Sequence, residues 1–450
     1  MADIPERPPV MRGHPGTREI SGRIASIVLK GQMPRFFWLA FLAAFLLVLV
    51  LFTTVAWLIT QGVGTYGINI PVAWGTMLSN FVWWVGIGHA GTLISAVLLL
   101  FRQDWRASVN RFAEAMTLFA VAMAALFPIL HLGRPWFFYW LLPLPNTHMH
   151  WPQWRSPLVW DFAAIATYGT VSLLFWYIGL VPDLAVLRDR AKNRAAQLFY
   201  GILALGWRGS AFHWARFDAV YYLLAVLATP LVVSVHSIVS LDFTYGMAPG
   251  YHSTIFPPYF VAGALYSGFA MVLTIAIPLR RLFRVEDLIT KRHIDNGAKI
   301  MIAAGLIVAY GYAAEFFFAW YSGNPAERMM AWQRLVGPYA PFFWVMLACN
   351  VGVLQLLWFR RVRLWMPALF VISLLINLGM WLERYVIVVT GPSTGFLPAA
   401  WGTQSLQWVD FGVFFGTLGA FFALMFLFLR ILPAITIFEV GELADERREA

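Results

Sequence analysis

The sequence predicts an all-α polytopic membrane protein with ten transmembrane helices, arranged as two four-helix bundles plus two flanking helices. Of its 450 residues, 60% are hydrophobic and 12% are charged, a composition that excludes a soluble globular protein. Ten apolar stretches are long enough to cross roughly 30 Å of hydrocarbon. Lysine and arginine are also distributed very unevenly among the segments between these stretches.

Each apolar stretch is predicted to be a helix, because a helix satisfies its own backbone polar groups while it crosses lipid. Spans two to five and spans six to nine are predicted to form the bundles, with spans one and ten at the flanks. Residues 1–36 form an N-terminal arm and 433–450 a C-terminal tail around a membrane domain at 37–432. The ten stretches are 37–60, 72–101, 111–131, 157–181, 218–240, 257–283, 297–321, 340–360, 366–390 and 408–432.

The basic residues predict the orientation. Of the 32 lysines and arginines, 27 lie in the arm, the tail and the even-numbered gaps between spans, whereas the odd-numbered gaps hold four. Because basic loops stay in the cytoplasm, both termini are predicted to be cytoplasmic. The even-numbered gap at 182–217 is long, and it is interpreted either as an amphipathic helix around 194–207 or as a solvated loop.

Charge and cysteine content exclude several functions. The net charge of +10 is explained by the uneven loops, so no nucleic-acid partner is inferred. The single cysteine, Cys349, excludes an internal disulfide, a cysteine-held iron–sulfur cluster, a four-cysteine zinc site and a CxxCH haem attachment. No metal site is predicted, and any redox centre must belong to another chain or be diffusible.

Polar residues flank the loop between the third and fourth spans. His131 ends the third span, and Asp161 lies one turn inside the fourth. Ser156 and Pro157 are typical of a helix start, which makes Asp161 too deep to be the cap. Asp242 follows the fifth span at a helix C-terminus, where the helix dipole disfavours an anion, so another interaction must hold it there.

Further ionisable residues lie at a similar depth in later spans. Glu315 of the seventh span has Tyr312 on the same face, and Glu383 and Arg384 lie in the ninth. Neighbours on a helix point about 100° apart, so Arg384 is expected to find a partner on another helix. A charged side chain at the centre of a span costs about 2.5–3.5 kcal/mol, which makes each one a candidate functional residue.

His89 is near the middle of the second span, among glycines that allow close helix approach. The acids, the histidines and the arginine are interpreted either as a site for quinol oxidation or as polar contacts between helices. Quinol oxidation releases two protons and two electrons, so it requires a proton acceptor near each hydroxyl. His131 and Asp161 fit that pair, and Arg384 is expected to keep Asp161 or Asp242 ionised.

Five sequence blocks resemble the NrfD/polysulfide-reductase membrane-subunit superfamily. Within it, they are most similar to the ActC subunits of bacterial alternative complex III. The resemblance covers most of 37–432. The blocks are GHAGTLIS at 88–95, FPILHLGRPW at 127–136, RSPLVWD at 155–161, ATPLVVSVHSIVS at 228–240 and WYSGNP at 320–325.

The resemblance implies a subunit of the bacterial inner membrane that binds and oxidises quinol, without haem or iron–sulfur cluster of its own and without independent activity. The implied partners are an iron–sulfur molybdoenzyme-like subunit, multihaem and monohaem cytochrome c subunits, a second NrfD-like membrane subunit and a terminal oxidase. Electrons would pass to the iron–sulfur and cytochrome subunits, and protons would be released to the periplasm.

The resemblance also assigns roles to individual residues. It implies that His131 and Asp161 are the quinol-binding pair. A second group is assigned to quinol binding or proton exit: Asp242, Arg384 and Glu383. A third group is assigned to a path of proton translocation: His89, Glu315, Tyr312 and His236.

Three alternatives remain. Buried charges and two bundles also suit a secondary transporter or a proton-pathway subunit, although transport sites usually lie near the midplane. A haem b anchor would use a pair among His89, His131, His236 and His252. The paralogous subunit of the same complex, ActF, resembles ActC in fold but lacks the complete quinol site, and retention of both His131 and Asp161 favours the quinol-binding subunit.

The predicted orientation can be tested by cysteine labelling in a background in which Cys349 is replaced by serine. In intact cells, a membrane-impermeant maleimide should label a His148→Cys variant, because His148 lies in an odd-numbered gap. A Lys192→Cys variant should be labelled only after permeabilisation, because Lys192 lies in an even-numbered gap. The opposite pattern would reverse the orientation.

Overall fold

The computed structural model describes residues 9–13 and 16–449. All regular secondary structure in this part of the chain is helical, and ten helices are long and apolar enough to cross a membrane, which confirms the predicted fold class. The longer helices are α1 (Thr17–Lys30), α2 (Arg35–Gln61), α3 (Thr76–Leu100), α4 (Asn110–His131), α5 (Pro157–Arg190), α6 (Arg194–Leu203), α7 (Ala211–Thr244), α8 (Phe256–Leu282), α9 (Lys291–Tyr321), α10 (Pro325–Val336), α11 (Ala340–Trp358), α12 (Met366–Ser393), α13 (Trp408–Ile431) and α14 (Ile437–Glu449).

The ten spans divide into the predicted groups. Helices α3, α4, α5 and α7 pack around one another as the first bundle, and α8, α9, α11 and α12 form the second. The first and tenth spans, α2 and α13, pack chiefly against each other. Helix α8 joins the two bundles, because it also packs against α3 and α7.

Glycines bring α2 and α13 close together. A Cβ atom built on Gly416 would lie 2.6 Å from the Leu51 Cβ and 2.8 Å from the Leu51 Cα. Contacts this short do not occur between ordinary side chains, so the present helix separation requires glycine. Most of the remaining α2 surface is exposed, as expected for a helix that faces lipid.

Two helices contain a π-helical turn, at Leu93–Val97 in α3 and at Ala348–Gly352 in α11. One lies in each bundle. Such turns insert a residue into the regular hydrogen-bond ladder and re-aim the side chains beside it. The turn in α11 carries Asn350, which takes part in the polar network described below.

The loop at 182–217 contains the predicted amphipathic helix, α6, capped by the Asn193 side chain, which accepts from the Ala195 amide at 3.0 Å. The neighbouring spans extend beyond their apolar stretches, since α5 continues to Arg190 and α7 begins at Ala211. Helix α5 begins at Pro157 as predicted, although the Ser156 side chain makes no capping hydrogen bond.

The tail packs against the first bundle through α14. The Asp183 carboxylate on α5 accepts from the Ile437 and Phe438 amides at 3.1 and 3.2 Å and so caps the start of α14. Glu439 accepts from Arg106 at 3.0 Å and from Asn110 at 2.9 Å. Helix α1 also packs on α14, so parts of the arm and tail contact each other at one end of the bundles.

We expect Gly416→Ala to lower the free energy of unfolding by about 1–3 kcal/mol, the usual effect of overpacking a close contact. The added methyl group would have to push α2 away from α13. Gly352→Ala is the matched control, because a Cβ atom there meets nothing within 4 Å. Reversible unfolding in detergent measures both variants, and equal stabilities would contradict the proposed role of Gly416.

Candidate functional site

An apolar cavity of about 380 Å³ opens beside the first bundle. Only two of its lining residues are ionisable, and they are His131 and Asp161. Leu132, Phe138 and Leu158 at its edge are themselves exposed, so the cavity opens to the outside of the bundle. The lining residues are Trp74, Met77, Leu78, Phe81, Ala125, Phe127, Pro128, Ile129, His131, Leu132, Phe138, Leu141, Leu158, Asp161, Phe162, Ile165 and Ala166.

The two ionisable residues reach this cavity from neighbouring helix ends. His131 is the last residue of α4, and Asp161 lies one turn inside α5. The Asp161 side chain is buried, and His131 Nδ1 is also shielded from solvent. Neither that nitrogen nor either Asp161 oxygen has a hydrogen-bond partner among the described residues. Both groups are therefore available to a ligand in the cavity.

Asp161 forms a pair with Asp242 from the last turn of α7. Their carboxyl groups are near each other, and none of their four oxygens has a hydrogen-bond partner among the described residues. Two carboxylates that meet away from water repel each other strongly, so ionisation of both at the same time is disfavoured. Protonation of one member of the pair would also reduce the negative charge at Asp242, which a helix C-terminus disfavours.

A second cavity of about 200 Å³ lies on the other side of this acid pair. Asp242 lines it, together with Tyr251 and the exposed Met247. The Tyr251 hydroxyl donates to the Val388 carbonyl at 2.7 Å. Burial raises the pKa of the Tyr251 phenol, so it stays protonated. The pair of Asp161 and Asp242 thus separates an apolar cavity from one that opens at the surface.

The expectation that Arg384 would pair with Asp161 or Asp242 is wrong. Arg384 instead forms an ion pair with its neighbour Glu383. The 100° between adjacent positions is overcome because both side chains are long and bend toward each other. Arg384 does contact another helix, since its guanidinium lies 4.4 Å from the centre of the Phe260 ring.

Glu383 belongs to a polar network within the second bundle. Its carboxylate accepts from the Tyr312 hydroxyl, which in turn accepts from Asn350 at 2.7 Å. Tyr312, Glu383, Arg384 and Asn350 are all buried. The residues predicted for the outer ends of the spans therefore form two separate groups, one around His131 and Asp161 and the other around Glu383.

Glu315 completes the second group from the side of a surface cavity. It pairs with Arg334 of α10 at 3.2 Å, and Arg334 also donates to the Thr390 hydroxyl at 3.0 Å. Both Glu315 and Arg334 line a cavity of about 260 Å³ with His252. Glu315 Oε1 and Arg334 Nη2 are buried and have no hydrogen-bond partner among the described residues, although both residues line this cavity.

His89 and His236 lie between the two groups. Their rings contact each other with centres 4.8 Å apart, and His89 stacks on Tyr168 at 5.4 Å. His236 also contacts Phe260. The two imidazoles contact each other directly, which leaves no space for a porphyrin between them and disfavours the bis-histidine haem hypothesis for this pair.

The close packing around His89 depends on Gly91, as the sequence predicts. A Cβ atom on Gly91 would lie 2.0 Å from the Ala113 carbonyl oxygen and 2.2 Å from Thr117 Oγ1. Helix α4 therefore lies directly against α3 at this level. Thr117 and Tyr168 donate to the Gly88 carbonyl at 2.5 and 3.0 Å, which links three helices of the first bundle beside the histidine.

Sequence patterns did not indicate a buried charge cluster at the opposite end of the first bundle. Arg111 is fully buried and donates to Glu114 at 2.9 Å and to Asp183 at 3.5 Å. Glu439 and Arg106 extend the cluster into α14. The available signal was the position of Glu114 and Asp183 at the edges of apolar stretches, where a solvated charge is the usual interpretation.

Within the described chain, no three His, Cys, Asp or Glu side chains are grouped so that they could hold a metal ion. The fold and site define a polytopic membrane subunit with an apolar cavity that presents one imidazole and one carboxyl group. A family model described as "Polysulphide reductase, NrfD" matches residues 64–394. The chain therefore belongs to the NrfD family and is the membrane subunit of an NrfD-type respiratory oxidoreductase.

A relative from Halobacterium salinarum is 26% identical over 369 residues, which cover 79% of this chain and 77% of the relative. It is described as a candidate membrane subunit of a dimethyl sulfoxide reductase. The aligned length includes most of the membrane domain, so the similarity extends well beyond a single motif.

The ion pair of Glu315 and Arg334 yields a stability prediction. Arg334→Met should lower the free energy of unfolding by about 3–5 kcal/mol, because it leaves a buried carboxylate without its partner. The double variant Arg334→Met with Glu315→Gln should recover part of that loss. Arg328→Met is the control, since Arg328 lies on the same helix but is exposed.

Unfolding in detergent measures wild type, Arg334→Met, Glu315→Gln, the double variant and the Arg328→Met control. Additive losses in the double variant would show that Glu315 and Arg334 do not stabilise each other, which would contradict the contact seen here.

Proposed function

We propose that this chain binds and oxidises a quinol in the apolar cavity beside α4 and α5. The observation that carries the proposal is that the cavity has one histidine and one aspartate as its only ionisable lining residues. A quinol is an apolar ring with two hydroxyl groups, so it needs an apolar cavity with two polar groups that can accept protons. His131 and Asp161 supply those groups.

Cavity size and position support the same ligand. A volume of about 380 Å³ lies within the range of small-molecule sites, which are mostly apolar with few polar groups. The exposed edge formed by Leu132, Phe138 and Leu158 lets an isoprenoid chain extend into the bilayer. A lipid-soluble substrate can therefore enter without crossing water.

The reaction balances when residues of this chain accept the protons and one partner subunit accepts the electrons. Each quinol loses two protons and two electrons and becomes a quinone. His131 accepts one hydroxyl proton at its unpaired nitrogen, and Asp161 accepts the other. The two electrons pass to an iron–sulfur partner subunit, because this chain has a single cysteine and so cannot ligate such a cluster itself.

Asp242 gives the second proton a way out. It lies beside Asp161 on one side and lines the surface cavity of about 200 Å³ on the other. A proton that arrives at Asp161 can pass to Asp242 and from there into that cavity. By the positive-inside rule this face is the external one, so the proton is released to the periplasm of the bacterial inner membrane.

We further propose that the complex is an alternative complex III, which passes electrons to multihaem and monohaem cytochrome c subunits, contains a second NrfD-like membrane subunit and associates with a terminal oxidase. The support is the resemblance of the blocks around His131 and Asp161. The Halobacterium salinarum relative is described instead as part of a reductase. The proteins that co-purify with this chain distinguish the two assignments.

A second candidate role, proton translocation, is favoured by the polar network of the second bundle. Glu315 and Arg334 line the cavity of about 260 Å³, and each keeps one buried polar atom without a hydrogen-bond partner among the described residues. From there, Glu383 and Tyr312 continue into the bundle, and His236 and His89 lie beyond Phe260. These groups form a series from the surface cavity to His89 near the middle of the second span, as proton carriers in a pathway would.

Replacement of Asp161 by asparagine tests the site. In the assembled complex, Asp161→Asn should lower quinol oxidation at least about a hundredfold, the usual contribution of a general base. His131→Ala should have a similar effect. Electron transfer from quinol to the cytochrome or other acceptor is measured, with complex assembly checked by co-purification.

Two matched control variants distinguish a specific loss of the site from a general loss of structure. Asp189→Asn removes an exposed carboxylate from the other end of α5, and His148→Ala removes an exposed histidine from the loop between α4 and α5. Both should retain near-normal turnover. If Asp161→Asn also keeps normal turnover in an intact complex, the proposed proton acceptor is wrong.

A further inference from the structure

A cavity of about 590 Å³ lies at the end of the bundles that carries α1 and α14. One wall comes from the end of α3 and the loop that follows it, and the other comes from the first turns of α9. This cavity is distant from the quinol site, which lies at the opposite ends of the spans. Its lining residues are Leu98, Phe101, Gln103, Trp105, Arg292, Asp295, Asn296, Lys299 and Ile300.

The charges in this cavity are predominantly positive. Asp295 accepts from Arg363 at 2.7 Å and lies 2.5 Å from the Lys299 ammonium group. Among the ion pairs of the described residues, none involves Arg292. Two cations, Arg292 and Lys299, and one carboxylate line the cavity, and Arg363 outside the lining also pairs with that carboxylate. The cavity therefore attracts an anion despite the presence of Asp295.

The polar and apolar residues are separated along α9. Arg292, Asp295 and Lys299 occupy its first turns, and the helix becomes apolar from Ile300 onward. Phe101 on the facing wall is 70% exposed. A large exposed ring beside a basic cavity at a span end is suited to the boundary between headgroups and hydrocarbon, where a phosphate binds the cations and acyl chains contact the apolar side.

We propose that this cavity binds the headgroup of an anionic glycerophospholipid. The phosphate ester contacts Arg292 and Lys299, and the acyl chains run along Phe101 and Ile300 into the bilayer. Asn296 and Gln103 offer amide groups to the glycerol hydroxyls of the headgroup. The bound lipid fills the gap between α3 of the first bundle and α9 of the second.

Native mass spectrometry of the full chain in neutral detergent tests the proposal, with phosphatidylglycerol, phosphatidylcholine and inorganic phosphate as probes. Wild type should bind phosphatidylglycerol in preference to phosphatidylcholine. The double variant Arg292→Gln with Lys299→Gln should bind it about thirtyfold more weakly, because each basic residue near an anionic headgroup contributes about fivefold. Unchanged affinity in this variant would overturn the proposal.

A control variant with the same change in net charge distinguishes binding in the cavity from general attraction to the basic end of the bundles. Arg281→Gln with Arg360→Gln removes two exposed cations near the same span ends, outside the cavity lining. Its affinity should stay within about twofold of wild type. An equal loss in both double variants would show attraction by overall charge alone and would overturn the cavity assignment.

The Phe101→Ala variant distinguishes a bound lipid from a free anion without changing any charge. Because Phe101 is exposed, the substitution is not expected to disturb folding. The variant should lose affinity for phosphatidylglycerol. If it does not, or if inorganic phosphate binds wild type as tightly as phosphatidylglycerol does, the cavity is a soluble-anion site and the lipid assignment fails.

Discussion

Compensation of buried charge is the constraint on which this structure depends. Within the bundles the charged groups occur in partnered sets: Arg384 with Glu383, Arg334 with Glu315, and Arg111 with Glu114 and Asp183. A charge without a partner would be prohibitively costly in lipid. The acid pair at the cavity has no basic partner among the described residues, so a proton kept on one of its carboxyl groups would limit that cost. The same feature makes it suitable for exchanging protons.

The sequence predicts the spans well because hydrocarbon thickness and hydropathy determine them almost locally. Where the helices run longer than predicted, other packing explains the difference. Helix α5 continues past its apolar stretch to Arg190 because Leu184 and Leu187 are buried in a small core with α1 and α6. Hydropathy averaged over a span does not reveal this packed surface of α5, because polar and apolar residues alternate along that part of the helix.

Part of the candidate site can likewise be predicted from the sequence, and part of it cannot. His131 and Asp161 flank one loop, so chain order alone brings them near each other. The contact of Asp161 with Asp242 depends on how α5 and α7 are rotated and shifted, which one sequence does not reveal. The partner of Arg384 was predicted wrongly because helical angles describe where side chains leave the backbone. They do not describe where long side chains end.

The capping of α14 has a consequence for biogenesis. Glu439 and the amides that Asp183 accepts from are synthesised only after all ten spans. Until then, Arg106 lacks the Glu439 carboxylate and Asp183 lacks its backbone donors. One end of the first bundle therefore contains buried charged groups without all of their partners. The spans can enter the membrane in order, but the first bundle reaches its final form only when the last helix closes over it.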